Sequence, residues 1–226
     1  MNKIEITPER FLTFPPIKPG IVHRHKKQLY KYSPASKNII TTIDKYKYEE
    51  VMKQVTSPTA MLYHQKRYFG YTMEYYKKLK RIREAIKSGR IKDINEYMLN
   101  LLTIIEKLNE LNLIYYDIHD NNVLVDENGK PFLIDIDDIV TIPSIEDFYQ
   151  QSQYLTEFIL NVYLEEYKTL RVHISDKELR KILSQKVISY MENLTVIANP
   201  APSLPYVLLD ELKDKEKVLK LKNKNI

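Results

Sequence analysis

The 226 residues contain no cysteine and only four glycines. The first absence excludes disulfides, thiolate metal sites and a thiol nucleophile, and it fits a reducing compartment. The shortage of glycine bears on any loop that must bring bare backbone against a phosphate. No apolar run approaches the roughly 18 residues needed to cross a bilayer. The opening residues, Met1 to Phe11, mix charge with apolar groups too early for a secretory leader. A soluble, cytoplasmic protein without a membrane partner is therefore expected. No finger, helix-turn-helix signature or aromatic–basic repeat is present, so sequence-specific nucleic-acid binding is not expected either.

The rest is ordinary globular material, 43% hydrophobic and 29% charged. The net charge of +5 is spread along the chain. Its densest basic stretch, Lys77 to Lys92, is either a solvated helix face or a surface for an anionic partner. Tyrosine is common, at 18 residues, and suits half-buried positions.

Four prolines in the first 20 residues (Pro8, Pro15, Pro16 and Pro19) predict irregular chain or isolated extended pieces. Ile21 to His25 and Gln28 to Tyr32 read as strands around a Lys26-Lys27 turn. Thr42 or Asp44 is a candidate cap for a helix to about Val55, with Tyr48, Met52 and Val55 as its apolar stripe. Thr59 to Tyr63 and Phe69 to Tyr75 read as a strand pair, and charged helix follows from Tyr76. Asp93 opens a further helix whose apolar stripe is Met98, Leu101, Leu102, Ile105, Leu108 and Leu111. Each leucine buried there contributes about 1.5–3 kcal/mol. Val123 to Val125 and Phe132 to Ile134 form a hairpin around Asp126-Glu127-Asn128-Gly129. From about Ile145 the pattern is helical, with later blocks at Leu179 to Met191 and Leu204 to Leu221.

The informative segment is Tyr115-Tyr116-Asp117-Ile118-His119-Asp120-Asn121-Asn122-Val123-Leu124-Val125, then Leu133-Ile134-Asp135-Ile136-Asp137-Asp138. The hairpin brings Asn122 and Asp135 close, and Asp117 reaches the same space from the preceding loop. Such oxygen donors suit a hard cation that keeps water and phosphate oxygens as its other ligands. Magnesium there would offset charge on a moving phosphoryl group. A further carboxylate, off the metal, would orient or deprotonate an accepting hydroxyl.

This segment resembles the catalytic centre of the protein-kinase-like superfamily, which includes protein kinases and the aminoglycoside and choline phosphotransferases. In that pattern a catalytic-loop Asp is followed five residues later by Asn, and a metal-binding Asp follows the hairpin. The resemblance implies that Asp117 is the catalytic base or substrate-orienting residue. It makes Asn122 and Asp135 the metal ligands, and ATP and magnesium the cofactors. Tyr115 stands where the family usually has His, a loop-supporting position. Ile136-Asp137 stands where protein kinases have Phe-Gly. Asp137 and Asp138 either add a metal or substrate contact or cap the following helix.

On the nucleotide side the resemblance implies a small-lobe lysine on the phosphates and a helix glutamate holding it. Lys31 is the candidate lysine, with an ordinary exposed strand lysine as the alternative. Glu49 and Glu50 are the candidate glutamates. Phe69 to Tyr76 resembles the strand entering the hinge, with Met73 near the adenine pocket. The glycine-rich loop is missing, with only Gly20 before the second strand.

The resemblance implies an α+β, two-lobed fold, with a small strand-rich nucleotide-binding lobe (residues 1–76) and a helical catalytic lobe (residues 77–226). The expected reaction moves the γ-phosphoryl group of ATP to a hydroxyl. The run Asp117-Ile118-His119-Asp120-Asn121-Asn122 is similar to that of aminoglycoside-type enzymes, and no Ala-Pro-Glu-like element follows. Both favour a small-molecule or atypical acceptor. The short chain, with little room for the helices that aminoglycoside-type enzymes insert around their substrate, points toward compact atypical protein kinases. A small-molecule acceptor is the preferred reading. His119 either faces the acceptor or ties the loop. An atypical serine/threonine protein kinase and a catalytically inactive nucleotide-binding module are the alternatives.

Overall fold

The structure is a computed structural model. It describes residues 1–169 and 204–212, with backbone alone for residues 164–169. The predicted helix at Leu179 to Met191, and the end of the Leu204 to Leu221 block, lie outside the described residues.

A six-stranded sheet forms from β1 (Asn2–Glu5), β2 (Pro16–Lys18), β3 (Val22–His25), β4 (Gln28–Tyr32), β5 (Pro58–His64) and β6 (Arg67–Glu74), in the order β1-β5-β6-β4-β3-β2. Neighbours are antiparallel except β1, which lies parallel to β5. Lys26, at φ +55°, makes the expected turn between β3 and β4. The proline-rich opening is more ordered than expected. Thr7 caps the short helix α1 (Pro8–Leu12), accepting from the Arg10 N–H at 3.2 Å, with Pro8 in its first turn. Pro16 is tolerated in β2 because β2 is an edge strand.

The helix expected to run to Val55 is displaced. Helix α2 covers Lys37–Lys45 and buries Ile40 and Ile43, and a separate 3₁₀ turn covers Glu50–Gln54. Tyr48 is 88% exposed and lies on no stripe. Thr42 and Asp44 are interior to α2, whose start follows the Ser33-Pro34 turn, where Ser36 Oγ donates to the Ser33 carbonyl at 2.9 Å.

The second half begins with β7 (Lys80–Arg81) and α3 (Ile82–Lys87), so little of the basic stretch is helical. Helix α4 (Ile94–Glu110) starts at Asp93, whose carboxylate accepts from the N–H groups of Asn95 at 2.7 Å and Glu96 at 3.1 Å. Its apolar side is buried in the main core. Strands β8 (Val123–Val125) and β9 (Pro131–Leu133) form the expected hairpin, with Gly129 at φ +81°, and pair with β7 in a three-stranded sheet. Helix α5 (Ile145–Thr169) and helix α6 (Leu204–Leu212) pack together beyond it. The α+β plan of a strand-rich N-terminal lobe and a helical C-terminal lobe is thus the one observed. No helix among the described residues is long and apolar enough to cross a membrane.

Candidate active site

The sheet has two faces, and alternation along its strands decides which residues line each. Tyr30 and Leu62 join Ile6 and Phe11 in a small outer cluster. Lys31 pairs in register with Tyr71, and Leu29 with Met73, on the opposite face. That inner face belongs to the main core. Lys31 is buried there, so it is not an exposed strand lysine. Met73 shares its face, one cross-strand pair away, and is buried. Gly70 lets β4 and β6 approach at this point: a Cβ on it would lie 2.0 Å from the Lys31 carbonyl oxygen.

The loop after α4 holds Asp117 on both carboxylate oxygens. The Asn122 side-chain amide donates to Oδ2. His119 Nε2 lies 2.9 Å from Oδ1. The Asn121 N–H donates to His119 Nδ1 at 3.2 Å, so the ring proton sits on Nε2 and points to Asp117. His119 therefore ties the loop and orients Asp117 at once. Tyr115, fully buried, donates its hydroxyl to the Ile134 carbonyl, next to Asp135. This is its loop-supporting role. Burial, then the nearby Asp117 charge, push its phenol well above the usual tyrosine range, so it stays a donor. Gln151 on α5 donates to the Tyr115 carbonyl at 3.2 Å and accepts from Asn109 on α4 at 2.8 Å.

Asp135 follows β9 in a left-handed conformation, φ +62° and ψ +65°, which is uncommon for a residue with a Cβ. The turn it starts spans Ile136–Asp138 and is anchored by the fully buried Ile136. Lys31 Nζ donates to Asp135 Oδ1 and, at 2.6 Å, to Asp137 Oδ1. Asp137 Oδ1 also accepts from the Tyr71 hydroxyl at 2.9 Å, and its Oδ2 from Ser33 Oγ at 2.8 Å. Burial, then the adjacent Asp137, raise the Asp135 carboxyl above its ordinary value, against the pull of Lys31. Burial works against the Asp137 carboxylate too, but the Lys31 ammonium and the hydrogen bonds the carboxylate accepts outweigh that and hold it at about 2. Burial opposes the Lys31 charge, yet its bonds to Asp135 and Asp137 raise it. One ammonium thus faces two carboxylates.

Glu49 and Glu50 do not meet Lys31. Both are exposed at the 3₁₀ turn, and Glu50 pairs with Lys53 at 2.6 Å. They were expected inside a helix facing the sheet, but α2 ends at Lys45. Asp137 fills the place instead, so it caps no helix. Asp138 is exposed. Ser33 and Tyr71 carry no motif and gain their roles only through the fold.

Asn122 and Asp135 flank the β8–β9 ladder, where the Ile134 N–H donates to the Asn122 carbonyl at 3.0 Å. The Asn122 amide nitrogen is committed to Asp117, which leaves its Oδ1 as the side-chain acceptor. Among the described residues no three His, Asp or Glu side chains form a closed metal cage. Two oxygen donors fit a magnesium ion that completes its shell with water and phosphate.

No protein-family model matches the chain, and no curated protein matches it. Similar solved structures include a crystal structure of WbdD, at 18% identity and a TM-score of 0.48, covering 88% of this chain and 43% of that one. They also include a structure of the bifunctional kinase-methyltransferase WbdD, at 17% and 0.47, covering 88% and 42%. A third is a co-crystal of WbdD with the kinase inhibitor LY294002, at 16% and 0.48, covering 88% and 43%. The chain spans less than half the length of these proteins.

Proposed function

We propose that the chain is an ATP- and magnesium-dependent phosphotransferase of the protein-kinase-like superfamily, acting on a hydroxyl of a small molecule. The observation that carries this is the meeting of Lys31 with Asp135 across 104 residues of sequence, next to the Asp117–Asn122 pair. A structural acidic turn has no need of a buried lysine from another sheet.

In this reading the division between lobes falls near Tyr75 to Lys78, and Met73 borders the adenine site. Lys31 binds the α- and β-phosphates. Asn122 and Asp135 hold magnesium, which offsets the charge of the transferring group. Asp117 accepts the hydrogen of the incoming hydroxyl. Asn122 and His119 fix its carboxylate, so the acceptor oxygen meets a preset orientation. Use of ATP implies an intracellular, cytoplasmic setting.

The chain between the Ile136–Asp138 turn and α5 supports a small acceptor. Only residues 139–144 lie there, and Val140 is tied to Ile114 by reciprocal backbone bonds of 2.9 Å. That leaves little backbone for a protein-docking platform. A nucleotide-binding module without transfer is the second reading. It is favoured by the tight Lys18–Ile21 turn, where Gly20 stands alone in place of a glycine-rich cover.

The test uses γ-labelled ATP with magnesium, offered separately with metabolite and protein extracts. Label in metabolites is the expected result. Label in protein bands supports an atypical protein kinase, and binding without transfer supports the regulatory module. Failure to bind nucleotide with magnesium sinks all three. Asp117→Asn should cut turnover about 10²–10⁴-fold while leaving the unfolding midpoint near wild type.

A further inference from the structure

Lys31 has two carboxylate partners, and they are held differently. The Asp135 side chain is 37% exposed, whereas that of Asp137 is 13% exposed. Both oxygens of Asp137 are committed to protein donors: Lys31 and Tyr71 on Oδ1, Ser33 on Oδ2. These donors form one unit of the sheet. Ser33 lies two residues beyond Lys31, and Tyr71 is its cross-strand partner. A carboxylate so engaged has little capacity left for a cation. Helix α2, by contrast, offers Lys31 nothing. Its sole carboxylate, Asp44, lies 2.9 Å from the Met1 nitrogen and 3.4 Å from Lys47.

We infer that Asp137 is the positioning residue for Lys31, holding its ammonium toward the nucleotide phosphates while Asp135 turns to the cation. This rests on the phosphotransfer reading. The lysine is aligned from the turn after the hairpin and not from a helix. The site therefore assembles without any movement of α2, and displacement of α2 is not its on–off control.

The test measures Mg·ATP affinity by calorimetry on the full chain, comparing wild type with Asp137→Asn, Asp137→Glu, Lys31→Met and the Lys31→Met/Asp137→Asn double variant. Asp137→Asn should weaken affinity about tenfold, and Asp137→Glu should recover part of the loss. In the Lys31→Met background Asp137→Asn should add nothing, because it acts through the lysine. Wild-type affinity in Asp137→Asn, or additive losses in the double variant, overturns this inference alone. A wild-type protein that binds no Mg·ATP overturns the phosphotransfer reading and this inference together. Should Asp137→Asn fail to fold, Ser33→Ala loosens the same carboxylate without removing a charge. It should weaken affinity about twofold to tenfold, and unchanged affinity there counts against the inference.

Discussion

At the scale of single residues, Tyr115 joins the two halves of the site. Its phenol bonds the carbonyl just before Asp135, and its own carbonyl is held by Gln151. Tyr115→Phe keeps the packing and deletes one buried bond, so stability should fall by about 1 kcal/mol in a denaturant titration. Turnover should fall further than that loss explains, because the freed carbonyl adjoins Asp135, the proposed magnesium ligand. Equal activity in wild type and variant would remove Tyr115 from the site's support. Lys31, Asp117, Asn122 and Asp135 could be picked out as candidates from local spacing and strand pattern, and the fold brings Lys31 to Asp135 and Asn122 to Asp117. Asp137 was visible as a residue but not in its role, since Lys31 lies 106 residues away in the chain. Nothing local records such a contact. The choice of Glu49 and Glu50 inherited an error about the helix they were thought to occupy.

At the scale of elements, the approach of β4 to β6 sets the height of Lys31 above the loop. Gly70→Ala would put a methyl group 2.0 Å from the Lys31 carbonyl oxygen, a backbone atom that cannot turn aside. The strands must separate, so a loss of about 1–3 kcal/mol is expected from calorimetric unfolding. Mg·ATP affinity should fall with it, because the displaced backbone is that of Lys31 itself. At Gly20 a Cβ would meet nothing within 4 Å, so alanine there faces only the cost of φ +74°, about 1 kcal/mol. A Gly70 variant as mild as the Gly20 one would show that the strands have slack. The hairpins were legible because their turns are local, as were α4 and α5 from their apolar stripes. The parallel partner of β1 lies near residue 60, and β2 is an edge strand containing proline. Short-range pattern reveals neither. Helix α2 was misplaced because Thr42 and Asp44 have the chemistry of caps yet lie inside the helix.

Across the whole molecule, the bond between Lys31 and Asp137 ties the strand-rich lobe to the helical one, and its response to acid has a definite sign. Asp137 is held at about 2 in the folded chain, against roughly 3.9 when unfolded. Its contribution, on the order of 2 kcal/mol, is therefore complete above the unfolded value and is lost as pH falls through the folded one. Lys31 is raised, so its share persists at every lower pH and fades only in strong alkali. Asp135 is raised as well and takes up its proton first on acidification, which relieves a charge penalty and leaves the Lys31–Asp137 bond intact. The stability gap between wild type and Asp137→Asn should consequently not narrow between pH 7 and about 4, and should close by about pH 2. The chain has no tryptophan but 18 tyrosines, so near-ultraviolet circular dichroism of thermal unfolding can follow both proteins. A gap that stays the same from pH 7 down to pH 2 would mean that Asp137 titrates as an ordinary carboxylate, and that the lobes are joined by something other than this pair.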